Sequence, residues 1–335
     1  MDGNIPWYIR QTDKELLQKF KFIQNQEDER LREATIVNDE GSRWSLGVSI
    51  LEMNDYRNRY VNIMPYERNR VKLAVRDYKR QNDYINASYV KVDVPEQSIH
   101  PGYYIATQGP TERTWQQFWQ MCYNECPHGD IVVVMVTPLV EHHREKCFKY
   151  WPSKNDQPFV SPKLQSPSEL PMDVSEFREE LTVCYEDSER VDELYTYTRL
   201  TVKGSSTKKT VHHFYFDQWR DMSKPEEIVP IVKLSEHSHG LNSKGNPIIV
   251  HCSAGVGRSG TFIALDHLVH ETKDFKNLSE FPALQELRTP DKHYKRDLIE
   301  QIVLQLRSQR MKMVQMKDQY TFIYHAARYL YENME

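Results

Sequence analysis

The feature that most constrains the fold of this chain is a segment in which its few glycines crowd together. Only 12 of the 335 residues are glycine, and four of these lie within sixteen residues, at Gly245, Gly255, Gly257 and Gly260. Glycine is the residue that adopts left-handed backbone conformations and permits close approach of another chain segment. The backbone of this segment is therefore predicted to adopt an unusual path.

Apolar residues flank these glycines in two different patterns. Ile248 to Val250 is a short apolar run, typical of a buried strand. After Gly260 the apolar residues recur at helical spacing, at Phe262, Leu265, Leu268 and Val269. The pattern predicts a strand, a glycine-rich loop and a helix in succession. The amide N–H groups of such a loop and the helix N-terminus bind anions together.

Cys252 and Arg258 give this predicted anion site a chemical function. A thiolate surrounded by amide donors at a helix N-terminus has a pKa below the ~8.5 of a free cysteine. A guanidinium offers planar donors that match two phosphate oxygens. The sequence therefore predicts a nucleophilic sulfur beneath a bound phosphoryl group, and a buried strand cysteine is the alternative. Cys184 also precedes an arginine by six residues, but three carboxylates and no glycine lie between them.

The segment His251–Gly260, which reads HCSAGVGRSG, resembles the signature loop of the protein tyrosine phosphatases. Other blocks resemble further parts of that family in the same order, namely Asn58–Tyr60 and residues 82–88 and 104–110. The resemblance covers about residues 50 to 330 and extends to the non-receptor members, including the small soluble enzymes of yeasts. It implies hydrolysis of phosphotyrosine in proteins, without a cofactor.

The resemblance also implies a role for each residue of the signature loop. Cys252 would attack phosphorus, Arg258 and the loop amides would bind the phosphate oxygens, and Ser259 would stabilise the departing sulfur. His251 would support the cysteine, and a strand-end histidine without a role is the alternative. The loop residues expected to contact the substrate are Ser253, Ala254, Gly255, Val256 and Gly257.

A proton donor for the phenol oxygen is expected in a second loop. The pKa of a phenol is near 10, so it leaves far better when protonated. Asp221, two residues after Trp219, resembles the family's general acid, and Asp217 is a nearby alternative. Arg220 stands where the family has proline, so we expect altered open and closed populations of this loop. Ser223 is expected to cap a helix that begins near residue 225.

Four further residues match supporting positions of the family. Gln315 resembles the glutamine that orients the hydrolytic water, with Gln319 as its helper. Glu141 resembles the acidic residue that pairs with the signature arginine, and Lys146 follows five residues later. A surface glutamine and a solvated loop carboxylate are the alternatives for Gln315 and Glu141.

The expected substrate-recognition loop contains Tyr60 and Asn62. Tyr60 would stack on the substrate ring and set the depth of the pocket, and an ordinary core aromatic is the alternative. Asn62 stands where many relatives have an acidic residue that binds the substrate backbone. Residues 57–80 carry eight Lys and Arg against two acidic residues, which would attract a phosphorylated segment. No nucleic-acid reader motif accompanies this charge, so we expect no nucleic-acid partner.

Composition and hydrophobic patterning predict the cellular setting, the fold class and the oligomeric state. Five cysteines in a chain of net charge -4 indicate a reducing, cytoplasmic setting. The longest apolar run has six residues where a membrane helix needs roughly 20, so no membrane segment is expected.

The strand and helix patterns predict one α/β domain over residues 1–335, with a central twisted mixed β-sheet flanked by helices. We also expect an N-terminal helical extension, an exposed variable excursion over residues 153–175, and a monomer.

The adjacent histidine pairs in the sequence do not predict a metal site. The pairs His142–His143 and His212–His213 are adjacent in sequence, where side chains on strands point apart, and no zinc ligand spacing is present. We therefore expect no metal.

Two other functions remain open at this point. One is a phosphotyrosine-binding pseudophosphatase, suggested by Arg220. The other is a dual-specificity phosphatase or sulfurtransferase, disfavoured by Tyr60 and by the chain length.

Overall fold

The computed structural model describes residues 5–37, 41–161, 177–221, 227–272 and 296–333. Most of the excursion expected at 153–175 and the helix cap expected at Ser223 lie outside these residues. Within them, Phe159–Ser161 of the expected excursion forms a strand rather than an exposed loop.

The described residues contain six α-helices and several short 3-10 turns. The α-helices are α1 (Asp13–Val37), α2 (Trp115–Glu125), α3 (Val229–Leu241), α4 (Gly257–Glu271), α5 (Leu298–Gln309) and α6 (Lys317–Asn333). The turns are Trp7–Arg10, Gly47–Ile50, Glu52–Arg57 and Glu67–Asn69.

Eleven strands form one large sheet and one small hairpin in the described residues. The strands are β1 (Arg70–Lys72), β2 (Tyr84–Val92), β3 (Gly102–Thr107), β4 (Ile131–Met135), β5 (Val140–Glu141), β6 (Arg144–Glu145), β7 (Phe159–Ser161), β8 (Leu181–Val191), β9 (Tyr195–Lys203), β10 (Lys208–Tyr215) and β11 (Ile248–His251). The large sheet has the order β1-β2-β3-β11-β4-β10-β9-β8-β7, and β5 pairs with β6.

The centre of the large sheet is parallel and its flanks are antiparallel. β11 pairs in parallel with both β3 and β4, and β4 pairs in parallel with β10. The outer pairs, β1 with β2, β2 with β3, and those from β10 to β7, are antiparallel. This confirms the predicted mixed sheet. The carboxyl ends of the parallel strands meet at one edge, where the glycine-rich loop follows β11.

Both faces of the central strands are buried, which explains their continuous apolar sequence. Successive side chains of a strand point to opposite faces. Val132 and Val134 of β4 therefore pack with residues of α3, α4, α5 and α6, whereas Val133 and Met135 pack with α2 on the other face. All five residues of β4 are fully buried.

The predicted N-terminal helix forms with the predicted cap. The side chain of Glu15 accepts a hydrogen bond from the Thr12 amide at 2.7 Å, and Thr12 Oγ1 accepts one from the Glu15 amide at 3.3 Å. This reciprocal pair is a capping box. α1 then packs on the C-terminal helices, where Lys19 forms an ion pair with Asp297 at 2.7 Å. In the part of the chain described here, no helix is both long and apolar enough to cross a bilayer.

Candidate active site

The glycines after β11 allow the loop to pass close to neighbouring backbone. Gly255 has a φ of +78°, in the left-handed region, and a Cβ there would overlap the carbonyl of Thr107 at the end of β3. A Cβ on Gly260 would lie 2.6 Å from the backbone nitrogen of Val314. The unusual backbone path predicted from the glycine pattern is therefore present, and side chains larger than hydrogen would disrupt it.

The Cys252 thiol lies at the bottom of this loop and is almost fully buried. The Gly255 amide donates to its Sγ at 3.2 Å. Burial alone would raise the pKa of Cys252, but the charge of Arg258, the nearby Ser259 and the hydrogen bond from the Gly255 amide outweigh it, and the net pKa is lowered. This environment favours the thiolate, which is the nucleophilic form.

The other buried cysteines provide an internal comparison. Burial raises the pKa of Cys126 to about 12, and it also raises the pKa values of Cys122 and Cys147. Cys184 lies within strand β8 together with the arginine six residues later, so no loop forms between them. The lowered pKa of Cys252 therefore depends on its loop, as the sequence comparison predicted.

The guanidinium of Arg258 is 1% exposed and points toward the loop that carries Asp221. Its Nη1 donates to the Trp219 carbonyl at 2.8 Å and lies 3.7 Å from Glu141 Oε2. Its Nη2 lies 3.3 Å from Asp221 Oδ1. Nε and Nη2 have no hydrogen-bond acceptor among the residues that the structure describes. Nε is available to a bound anion, and Nη2 becomes available when an anion displaces the Asp221 carboxylate.

Asp221 is held over the site by contacts to its side chain and its backbone. Its Oδ2 lies 2.9 Å from Lys146 Nζ, and its amide donates to both oxygens of Glu141, at 3.0 and 3.2 Å. Asp221 therefore lies next to the guanidinium of Arg258. Asp217, the alternative acid, forms an ion pair with Arg190 at 3.4 Å.

Glu141 reaches this position because a tight hairpin connects β5 to β6. The turn residues His142 and His143 both have positive φ, 51° and 62°, as in a type I′ turn. Their side chains are exposed in that turn.

The second adjacent histidine pair, His212 and His213, lies on strand β10. The His212 ring lies 2.8 Å from Asp130, and His213 hydrogen-bonds to Tyr150. The side chains of His212 and His213 therefore contact different groups.

Gln315 and Gln319 lie beside the first turn of α4. A Cβ on Gly257 would lie 3.3 Å from Gln315 Cβ and 3.1 Å from Gln319 Oε1. Gln319 is buried, and its Oε1 also accepts from the Met316 amide at 3.1 Å. Both amide side chains therefore border the loop that surrounds Cys252.

Tyr60 borders the glycine-rich loop at Ser253, while the side chain of Asn62 is exposed. The Tyr60 hydroxyl and Ser253 Oγ are 2.8 Å apart, and Ser253 Oγ donates to the Lys146 carbonyl. The neighbouring Arg59 donates to the carbonyl of Gly109 at 2.9 Å, which fixes the loop that contains Tyr60 to the segment after β3.

His251 is buried and is part of a chain of hydrogen bonds. Its Nδ1 lies 3.0 Å from the Cys252 carbonyl, and its Nε2 lies 2.7 Å from the Tyr150 hydroxyl. The same hydroxyl lies 2.7 Å from His213 Nε2. Burial lowers the pKa of His251 to about 4, so the imidazole is neutral at physiological pH. His251 therefore orients the backbone at Cys252 as a neutral hydrogen-bonding group.

Two residues that support the loop were missed by the sequence reasoning, Tyr150 and Arg310. The fully buried Arg310 donates to the carbonyls of Gly255 at 2.9 Å and of Ala254 at 3.0 Å. Burial lowers the pKa of Arg310 to about 10. By binding these carbonyls, Arg310 leaves the loop amides facing the anion site. The only signal in the sequence was a charged residue ahead of Met311–Val314, a segment in which three of four residues are apolar.

Comparison with known proteins gives a consistent result for most of the chain. Residues 54–329 match the family model of the protein-tyrosine phosphatases. Tyrosine-protein phosphatase 1 of Saccharomyces cerevisiae is 63% identical over 333 residues, covering 97% of both chains. Tyrosine-protein phosphatase 1 of Schizosaccharomyces pombe is 33% identical over 92% of this chain, which spans half of that relative.

Solved structures agree with the fold. The catalytic domain of human protein tyrosine phosphatase non-receptor type 18 has a TM-score of 0.69 and 24% identity, and the match covers 94% of this chain and 96% of that one. A structure of the same human enzyme, PTPN18, in complex with phosphopeptides of HER2 also has a TM-score of 0.69. The fold, the family model and the close relative agree, and the chain therefore belongs to the protein-tyrosine phosphatase family and hydrolyses phosphotyrosine.

Proposed function

We propose that this phosphotyrosine hydrolysis proceeds through a phosphocysteine on Cys252. The observation that carries the proposal is a buried thiol that accepts a hydrogen bond from the Gly255 amide and whose pKa is lowered by the charge of Arg258. The thiolate attacks phosphorus, and the bond to the tyrosine oxygen breaks. Nε and Nη2 of Arg258 and the amides of the loop bind the phosphate oxygens where negative charge accumulates.

Asp221 protonates the leaving phenol in the first step. Its carboxylate contacts Lys146 and Arg258 while the anion site holds no phosphate. A bound phosphate dianion competes for Arg258 and disfavours a second negative charge beside it, so the protonated carboxyl is favoured. Glu141, which binds the Asp221 amide, holds the acid within reach of the loop.

Gln315 positions the water for the second step, with Gln319 as its helper. Both amides border Gly257, beside the sulfur that carries the phosphoryl group. Asp221, now ionised, takes the proton from the water as it attacks phosphorus, and the sulfur leaves as a thiolate stabilised by Ser259. His251 keeps the backbone at Cys252 in place through both steps.

The substrates are phosphotyrosine-containing proteins that act in signalling in the cytoplasm. PTPN18 binds phosphopeptides of HER2, and this chain shares its fold. Tyr60 beside Ser253 forms the wall against which the phenyl ring stacks, and Asn62 lies exposed where the substrate backbone would pass. The basic stretch of residues 57–80 attracts the phosphorylated segment. The enzyme acts as a monomer, its catalysis uses no metal or cofactor, and its partners include neither nucleic acid nor a membrane.

Rapid-quench kinetics with a phosphotyrosine peptide test the mechanism. Wild type should release phosphate and Cys252→Ser should not, while Cys184→Ser, the matched control, should retain activity. Gln315→Ala should accumulate a phosphoenzyme that is stable in acid and absent from Gln315→Ala/Cys252→Ser. Turnover by Cys252→Ser would refute the nucleophile. Binding of phosphopeptide without any turnover by wild type would instead favour the pseudophosphatase.

A further inference from the structure

Three potential metal ligands from two helices meet between α3 and α4. His239 lies in the last turn of α3, and Asp266 and His270 lie one turn apart on α4. Their ligand atoms all lie within 4.8 Å of one another. His270 follows Arg258 by twelve residues, or about 18 Å along the helix at 1.5 Å per residue. The group is therefore separate from the site that binds phosphate.

The distances between these atoms are close to those of a metal site. His239 Nδ1 lies 3.2 Å from Asp266 Oδ2, and His270 Nε2 lies 3.8 Å from Asp266 Oδ1. Ligands of a tetrahedral Zn²⁺ with bonds of ~2.05 Å lie ~3.3 Å apart. The two imidazole rings are stacked with centroids 3.9 Å apart. Because the ring planes are nearly parallel, with an angle of 12° between them, a metal ion would bind both nitrogens only after rotation about χ2, which is a broad torsion for histidine.

Neighbouring side chains contact all three ligands, and Ser235 Oγ lies 3.1 Å from His270 Nε2 in a hydrogen bond that a metal ion would replace. The Asp266 carboxylate is fully buried and accepts hydrogen bonds from the Tyr104 hydroxyl at 2.6 Å and from Ser235 Oγ at 2.7 Å. His239 Nε2, the nitrogen that faces away from Asp266, lies 3.6 Å from Glu271 Oε1. Metal-binding histidines commonly have a carboxylate at the second ring nitrogen, and metal-binding carboxylates are themselves hydrogen-bonded.

The ligand group is also accessible from solvent. The side chains of His239 and His270 are 30% and 19% exposed, while Asp266 forms the buried base of the group. A metal ion can therefore enter without unfolding of either helix, and a water molecule can occupy the fourth position. Two imidazoles and one carboxylate are a donor set that Zn²⁺ binds in proteins.

We infer that His239, Asp266 and His270 form a binding site for a divalent transition metal ion of the zinc type, which would tie the end of α3 to α4. The sequence expectation of no metal is revised by this proposal. That expectation relied on adjacent histidine pairs and on zinc spacing, whereas His239 and Asp266 are 27 residues apart and meet only in the folded chain.

Metal titration of the Cys252→Ser protein tests this inference without interference from the catalytic thiolate. Zn²⁺ should bind with one equivalent by calorimetry, and Co²⁺ should give the visible absorption of a tetrahedral site. His239→Ala/His270→Ala in the same background should weaken binding by at least about tenfold. The matched control replaces two exposed histidines elsewhere, His128→Ala/His325→Ala, and should bind as the parent does.

Thermal unfolding provides the second measurement, because a metal that binds only the folded state raises Tm. Zn²⁺ should raise the Tm of the parent and of the control, and it should not raise that of the single variant His270→Asn. A parent that binds no Zn²⁺, or a rise in Tm that persists in His270→Asn and in the double variant, would overturn the proposal. Circular dichroism without metal verifies that each variant is folded.

Discussion

Replacement of Tyr150 by phenylalanine should affect both the stability of the fold and the reactivity of Cys252. The Tyr150 hydroxyl is the only group in the described residues that hydrogen-bonds to both His213 and His251, at 2.7 Å each. All three side chains are buried. The substitution removes one oxygen and leaves the ring packing with Phe118 and Trp119 in place.

The direction of each hydrogen bond follows from what the partners can donate. The Cys252 carbonyl only accepts, so the neutral His251 carries its proton on Nδ1 and its Nε2 is an acceptor. The Tyr150 hydroxyl must then donate to His251, and it accepts from His213 Nε2–H. Tyr150 therefore selects the tautomer of His251 that binds the backbone of the nucleophile.

The expected loss of stability follows from this assignment. Tyr150→Phe leaves the acceptor of His251 and the donor of His213 buried without a partner, and each such group costs about 1–3 kcal/mol. The variant no longer has to desolvate a hydroxyl, which offsets part of this cost. We expect the free energy of unfolding to fall by about 2–3 kcal/mol. The pKa of Cys252 should rise, because the loop backbone that donates to the thiolate is less firmly held.

Urea unfolding and the pH dependence of alkylation by iodoacetamide measure the two effects. The matched control is Tyr197→Phe, since the Tyr197 hydroxyl also hydrogen-bonds to one histidine, His212, at 2.6 Å. That variant should lose about 1 kcal/mol and leave the alkylation profile of Cys252 unchanged. The reasoning is refuted if Tyr150→Phe is no less stable than Tyr197→Phe and alkylates Cys252 with the wild-type pH profile.

Three further predictions concern the loops around the site. Because the pKa of Cys252 is lowered, its thiolate persists below the ~8.5 of a free thiol, and iodoacetamide at a pH below that value should modify it while mass spectrometry finds Cys147 unmodified. Tyr60→Ala should raise the KM for a phosphotyrosine peptide more than Asn62→Ala does, and the reverse order would contradict the stacking role. Arg220→Pro should change kcat and its pH profile by restricting the closed loop, and identical profiles would exclude an effect of Arg220 on loop closure.

Local patterns in the sequence were sufficient for several of the helices and strands and for the anion loop. The glycine positions and the change from strand to helix periodicity predicted β11, the loop and α4, because backbone sterics and side-chain period act within a few residues. The capping box of α1 was predicted for the same reason, since Thr12 and Glu15 are three residues apart. The lowered pKa of Cys252 also follows from neighbours within the loop.

Contacts between distant residues were beyond this reasoning. Tyr150 and His251 are separated by 101 residues, and Arg310 and Gly255 by 55. Neither pair has a spacing that periodicity detects, because their approach depends on strand order and on the course of the C-terminal helices. The positions of Glu141 and Asp221 were expected only from family resemblance, and their contact depends on a hairpin that brings residues 80 positions apart together.

Strand order also explains why the nucleophile lies where it does. β11 is the last strand in sequence, yet it lies between β3 and β4 in the middle of the sheet. The helix after β3, α2, packs on one face, and the helix after β11, α4, packs on the other. Two chain segments thus leave adjacent parallel strands toward opposite faces, and they open a crevice at the carboxyl ends, which is where ligands bind in such sheets.

A β11 at the edge of the sheet would still carry the HCSAGVGRSG loop, but that loop would lack the Thr107 backbone and the Glu141 hairpin on its two sides. The reactivity of Cys252 is therefore encoded locally, whereas its access to substrate and acid depends on the topology of the whole sheet.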